Sequence, residues 1–285
     1  MSTNPETNTN PLSKFFRQPA IYITLPSGGR FWEEGALTMP ENGELAVYPL
    51  TNRDEITLRT PDALLNGQGV VDVIHSCFPS IKNAWKTPSM DVDTVLIAMR
   101  IASYGHSMDF ENKCPHCGED HTYSMDLRHM MSTIKSPDYE SPIELMGLKI
   151  TFRPQNYFEV NRANQVNFEV AKLNDAVTNM TDGDAKSVII STQVNRLIDL
   201  NHQVLAASTL KIEIMESNDV ISDPAFILDF YKNIDATLFT GIQDLLLDKT
   251  KDASIKPIPV NCQSCEKQID LTILFDYANF FVVGS

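Results

Sequence analysis

Four of the five cysteines fall into two Cys-x-x-Cys pairs, Cys114-Pro115-His116-Cys117 and Cys262-Gln263-Ser264-Cys265. Two residues between cysteines let the chain turn tightly enough for both sulfurs to reach one metal ion at about 2.3 Å. One pair supplies half of a tetrahedral thiolate shell, so the second pair complements it. With 144 residues between Cys117 and Cys262, a shared ion would tie the middle of the chain to its end. That is the plan of a zinc ribbon opened to accept a large insertion. The expected ligands are Cys114, Cys117, Cys262 and Cys265, and the expected cofactor is a structural zinc.

Other chemistry competes for the same residues. Two disulfides or four reduced thiols are the plain alternatives. A thioredoxin-like dithiol normally opens a helix in a βαβ unit, and neither pair here precedes a helical pattern. A catalytic zinc keeps an open position, usually with three protein ligands, whereas four thiolates close the shell. His116 and His121 are close enough in sequence to replace a thiolate, but histidines on surface hairpins are more commonly solvated. Whether the two pairs share one metal stays open at the level of sequence.

The flanking residues supply the elements that must position these pairs. Ser107 to Lys113 leads into the first, and His121 to Leu127 leaves it with strand-like alternation. Ile255 to Val260 leads into the second, and Gln268 to Phe275 leaves it. Both halves read as extended segment, tight turn, strand, a weak internal repeat of two hairpins. The fifth cysteine, Cys77, lies in the apolar run Val70 to Phe78 and reads as a small buried hydrophobe.

Composition narrows the function classes. The chain has 285 residues, 42% of them hydrophobic, with 37 acidic against 23 basic side chains and a net charge of −14. A field of that sign repels phosphate backbones, which are bound by Lys and Arg, and it favours protein partners over nucleic acid. No apolar stretch reaches the 18 or so residues of a membrane span. Met1 to Asn10 is polar and lacks the apolar centre of a signal peptide. These features fit synthesis in a reducing cytoplasm.

Residues 1–19 read as a flexible arm, polar up to about residue 10 and then carrying Leu12, Phe15 and Phe16. Residues 20–50 read as β: strands at Ala20 to Leu25 and Leu45 to Leu50, and a turn at Pro26 to Gly29 too isolated to be a phosphate loop. Helices follow at Arg53 to Leu58, capped by Asn52, and at Val70 to Phe78. Between them, Pro61 and Asp62 open a short turn that stops at Asn66-Gly67. A third helix, capped by Asp91, carries Val92, Val95, Leu96, Met99 and Ala102 at helical spacing and ends at Gly105.

A Ser/Pro-containing link (132–142) leads to a hairpin over Ile143 to Phe152, turning at Met146-Gly147. Helices are expected at Asn156 to Ala176, Ala185 to Leu205, from Pro224 through Phe230, and at Ala236 to Leu247. A polar loop covers Thr178 to Asp184, and Leu210 to Met215 reads as a short strand. The apolar end, Ala278 to Ser285, either packs on the chain's own sheet or enters a neighbouring subunit. The fold class is α+β: a small N-terminal β/helical region, split zinc-ribbon-like hairpins and a large, mainly helical insertion. The domain reading is arm 1–19, body 20–131 plus 254–285, and insertion 132–253.

No catalytic set accompanies this plan. Nucleophile elbow, His-Glu-x-x-His, phosphate loop and dinucleotide fingerprint are all missing. The histidines are scattered, with His202 expected on an exposed helix face, and Glu33-Glu34 and Asp182/Asp184 fall in loops. An enzyme is disfavoured.

Several segments resemble one phage protein family: Ile23 to Phe31, Thr60 to Gly67, Ile101 to His106, and the Cys114–Cys117 knuckle. The chain is similar to the baseplate hub proteins of T-even-type contractile-tailed bacteriophages over about residues 20–130. Cys262 and Cys265 enter by spacing alone. The resemblance brings no catalytic motif with it. It implies a structural part in the tail baseplate, other phage baseplate and hub proteins as partners, and residence in the virion after synthesis in the host cytoplasm. Two further readings use the same sequence features: an assembly chaperone that shapes the hub and leaves, and a zinc-ribbon nucleic-acid-binding protein. Homo-oligomerisation is left open.

Overall fold

Short apolar runs on either side of a turn-rich stretch pair first. β1 (Ile21–Ile23) lies antiparallel to β2 (Leu45–Val47), with Ile23, Leu45 and Val47 buried. The computed structural model describes residues 10–60, 66–178, 183–271 and 280–281. Between β1 and β2 the chain makes turns, so the β expectation for residues 20–50 shrinks to these two strands and one isolated bridge, Leu37 to Ile81.

Three helices close over the pair: α1 (Asn52–Leu58), α2 (Gln68–Cys77) and α3 (Ser89–Tyr104). Two caps differ from expectation. Thr51, not Asn52, caps α1: its hydroxyl accepts from the Asp54 amide and the Asp54 carboxylate accepts from the Thr51 amide. An acid three residues into the helix makes this reciprocal box possible, which decides between two good capping residues. Asp91 does not cap α3. It sits inside the first turn, fully buried, where its carboxylate accepts from the Ser27 amide, the Ser27 hydroxyl and Trp32 Nε1. A buried carboxylate needs such donors, and these three pin the turn after β1 to the central helix. Val92, Val95, Leu96 and Met99 are buried as their spacing predicts, whereas Ala102, one turn further on, is half-buried, and Cys77 is buried.

The hairpin β3 (Ser107–Lys113) and β4 (Asp120–Asp126) follows, then the short helix α4 (Leu127–Thr133), which no periodicity announced. A four-stranded antiparallel sheet comes next, in the order β5 (Ile143–Leu145), β6 (Leu148–Phe152), β7 (Thr209–Ile214), β8 (Asp219–Ile221). The β5–β6 turn falls on Met146 and Gly147, both at left-handed φ, as a two-residue hairpin turn requires. Between β6 and β7 the chain makes a helical hairpin, α5 (Tyr157–Thr178) and α6 (Gly183–Ala207). The helices α7 (Pro224–Asn233) and α8 (Ala236–Thr250) pack on the sheet, and β9 (Ile258–Asn261) and β10 (Gln268–Leu271) end the described chain apart from residues 280–281. The protein is α+β. The stretch between the cysteine pairs is rich in helix, as expected, and it also carries the largest sheet among the described residues.

Three apolar clusters result. The first gathers β1, β2, α2, α3 and α4, and it takes in Phe280 and Phe281. These two residues of the apolar end therefore pack on the chain's own body, with the Arg100 guanidinium over the Phe280 ring. The second joins the four-stranded sheet to α7 and α8. The third is small and surrounds the cysteines. On the arm, Leu12, Phe15 and Phe16 stay exposed on a 3-10 turn. The anchor there is Arg17, which donates to the Pro49 and Ser76 carbonyls at 2.6 and 2.7 Å. The expectations for residues 1–9, 61–65, 179–182, 272–279 and 282–285 lie outside the described residues.

Candidate metal centre

Each cysteine pair sits in the turn of its own antiparallel hairpin. Lys113 pairs with Asp120 at the end of β3–β4, and Asn261 with Gln268 at the end of β9–β10. The two turns share one hydrogen-bond pattern. Cys114 donates its amide to Glu119 O and accepts at its carbonyl from Gly118; Cys262 donates to Lys267 O and accepts from Glu266. The residue four after the first cysteine has left-handed φ in both, 77° at Gly118 and 58° at Glu266. Glycine reaches that conformation without cost, whereas Glu266 holds it under strain. The internal repeat read from the sequence is thus a repeat of backbone geometry.

The hairpins meet at their turns. The sulfurs of Cys114, Cys117, Cys262 and Cys265 all lie within 4.8 Å of one another. Cys114 Sγ is 3.8 Å from Cys265 Sγ, and Cys117 Sγ is 3.6 Å from Cys262 Sγ. A disulfide needs about 2.05 Å, so all four cysteines are free thiols here. Four sulfurs at about 2.3 Å from one ion stand about 3.8 Å apart along the edges of a tetrahedron, and both cross-hairpin distances fall near that value. The donor set is soft and all-sulfur, which suits zinc. Among the described residues, this cluster is the one that gathers three or more potential ligands. His116 and His121 are outside it.

Protonation shows why a cation fits. The amides of Cys117 and His116 favour the Cys114 thiolate and bring it down to about 6. Cys117 receives the Glu119 amide, yet partial desolvation and the neighbouring sulfurs outweigh that donor and push it up to about 12. Cys265 likewise receives the Lys267 amide and still moves upward. One negative sulfur discourages the next, and a divalent ion removes the conflict by deprotonating every thiol it coordinates.

Cys114 and Cys262 are buried, Cys265 is half-buried and Cys117 is exposed, so the centre is closed inward and reachable from one side. Tyr123, Ile269 and Leu271 are buried beside it, and Gln263 Nε2 donates to Thr122 O across the two hairpins.

The other residues singled out in the sequence lie away from this cluster. His202, expected to be exposed, is half-buried with its ring edge-on to Phe239 at 5.3 Å. Burial pushes the Cys77 thiol up to about 12, an inert core thiol. Sequence reasoning missed a cleft of about 920 Å³ between α5, α6 and the start of α7. Its arginines, Arg153, Arg162 and Arg196, come from just past the end of β6, from α5 and from α6, and no spacing rule brings them together.

The arrangement brings two hairpins from distant parts of the chain together so that four cysteine sulfurs meet turn to turn, a cluster that could hold a metal ion. The family model for T4 bacteriophage base plate proteins matches residues 23–282, and the chain belongs to that family. Comparison with curated proteins gives no match, and neither does comparison with solved structures. Membership makes this a baseplate protein whose partners include other phage proteins. No helix among the described residues is long and apolar enough to cross a membrane.

Proposed function

We propose that this chain is a non-enzymatic structural component of the hub, or central region, of a contractile phage tail baseplate. A structural zinc held by Cys114, Cys117, Cys262 and Cys265 staples it. The observation that carries the reading is the meeting of two hairpins, 145 positions apart at Cys117 and Cys262, with their sulfurs at tetrahedral spacing in a chain of the baseplate family. When bound, the ion supplies a closed, redox-inert link between chain segments. The protein's residues supply the two turns, the amides that favour thiolate and the small apolar cluster behind them.

The same reading divides the chain into an arm (1–19), a body (20–131 plus 254–285) and an insertion (132–253). Two separate apolar cores support it, one drawn mainly from the body, with Ile134 and Tyr157 added from the insertion, the other drawn from the insertion except for Met90. The chain is made in the host cytoplasm and resides in the virion. The net charge of −14 counts against the nucleic-acid-binding alternative.

The test is quantitative mass spectrometry of purified phage tails, with this chain's copy number measured against the tail tube protein. A fixed number matching a ring or trimer is expected. Presence in infected-cell lysate but absence from particles would replace the structural role with that of an assembly chaperone.

A further inference from the structure

The cleft beside the helical hairpin inverts the charge of the protein around it. Acidic residues outnumber basic ones 37 to 23 in the chain. In the cleft, Lys86, Arg153, Arg162 and Arg196 stand against Glu159 and Asp199. Arg153 is held by Glu159 within the lining at 2.6 Å. Arg196 and Lys86 lean toward Glu169 and Glu33, which lie outside it. Those two pairs face solvent, contribute little and are readily exchanged for another carboxylate. Arg162 is exposed and has no ionic partner among the described residues.

The floor between these cations is apolar and built from small or branched side chains: Ala163, Val166, Leu200 and Val204. Phe158 and Leu210 flank it, 50% and 51% exposed. Such side chains are ordinarily covered when they line a concavity of this size. The cleft also continues into a second basin of about 650 Å³, through Lys86, Arg153, Glu159 and Leu210. That basin is walled by Phe31, Trp32 and Tyr139, and its added charges are the acids Glu33 and Glu140. The first basin therefore has four cations to two acids and the second two cations to three acids, so the charge changes sign along the groove, which turns aromatic and carboxylate-lined toward the N-terminal body. It is too long for a single anion, and the acidic surroundings repel a polyanion such as nucleic acid.

We infer that this groove docks a segment of another protein, with carboxylate side chains over Arg162 and Arg196 and apolar side chains on the floor and against the aromatic basin. Charge complementarity sets its register, and the apolar floor supplies the affinity. The inference rests on the baseplate reading and gives that role a binding face. Its test uses the isolated chain, so its failure leaves the copy-number result untouched.

The experiment pans a displayed library of random 15-residue peptides against the purified full-length protein and measures the enriched peptides by calorimetry. Enriched sequences are expected to combine Asp or Glu at one end with Leu, Phe or Trp at the other. Their binding should fall with added salt and weaken roughly fivefold in Arg162→Glu. Leu210→Glu, at a half-exposed position, should weaken them further, and both variants should keep the wild-type melting temperature. Enrichment without acidic bias, or binding unchanged in Arg162→Glu, would overturn the inference. A concentration-dependent dimer that blocks peptide binding and is broken by Leu210→Glu would also overturn it, by making a second copy of this chain the occupant.

Discussion

Replacing Cys262 by Ser removes one thiolate from the proposed zinc shell, and the structure sets how much that should matter. The C-terminal hairpin has four residues in each strand, β9 and β10. Ordering those eight residues costs about 8–16 kcal/mol of backbone entropy. Two apolar side chains of the hairpin, Ile269 and Leu271, are buried, and they return about 3–6 kcal/mol. An isolated two-stranded hairpin is marginal at best. The shortfall, roughly 2–13 kcal/mol, is on the scale of the apparent 10–16 kcal/mol with which zinc-finger peptides hold structural zinc. In Cys262→Ser, metal content should fall from one zinc per chain, and amide protection over residues 258–271 should collapse. Protection in α3 should persist, because its core contains no cysteine ligand. Elemental analysis with peptide-resolved hydrogen exchange reads all three. A variant that keeps one zinc per chain and full protection at 258–271 would refute the reasoning.

Two other perturbations follow from the same structure. Burial pushes the Asp93 carboxyl up to about 6, so the folded state holds this proton more tightly than the unfolded chain. Its contribution to stability is then greatest below about pH 4 and is lost as pH rises to about 6; Asp93→Asn should flatten that part of the urea-midpoint profile and be more stable at pH 7 by about 1–3 kcal/mol. At the matched turn positions the two knuckles should answer with opposite signs. Gly118→Ala should lower stability by about 1–2 kcal/mol and Glu266→Gly should leave it unchanged or raise it by up to about 1 kcal/mol, read from melting temperatures with zinc in excess.

What could be read before folding was local. A tight Cys-x-x-Cys turn is a matter of a few adjacent residues, and so is the period of a helix such as α3 or the turn at Met146-Gly147. Those expectations hold, as does the burial of Cys77 in its apolar run. Elements with weak or short patterns were missed: α4 has seven residues and β8 has three, too few to display a period. Asp91 shows the limit from another side. A helix-capping residue and a buried carboxylate receiving three hydrogen bonds look identical in a sequence, because the donors Ser27 and Trp32 are some 60 positions away.

Residue types and turns are written in the order of the amino acids: which sulfurs are paired two by two, which faces are apolar, and which charges the chain carries. Folding in three dimensions makes the two pairs face one point, with cross-hairpin sulfurs 3.6 and 3.8 Å apart. It alone also gathered Arg153, Arg162 and Arg196 around one groove. The physical reason is range. Turn and helix preferences act between neighbours in the chain, whereas the meeting of two hairpins is set by how the intervening sheet and helices pack, and that depends on every core at once.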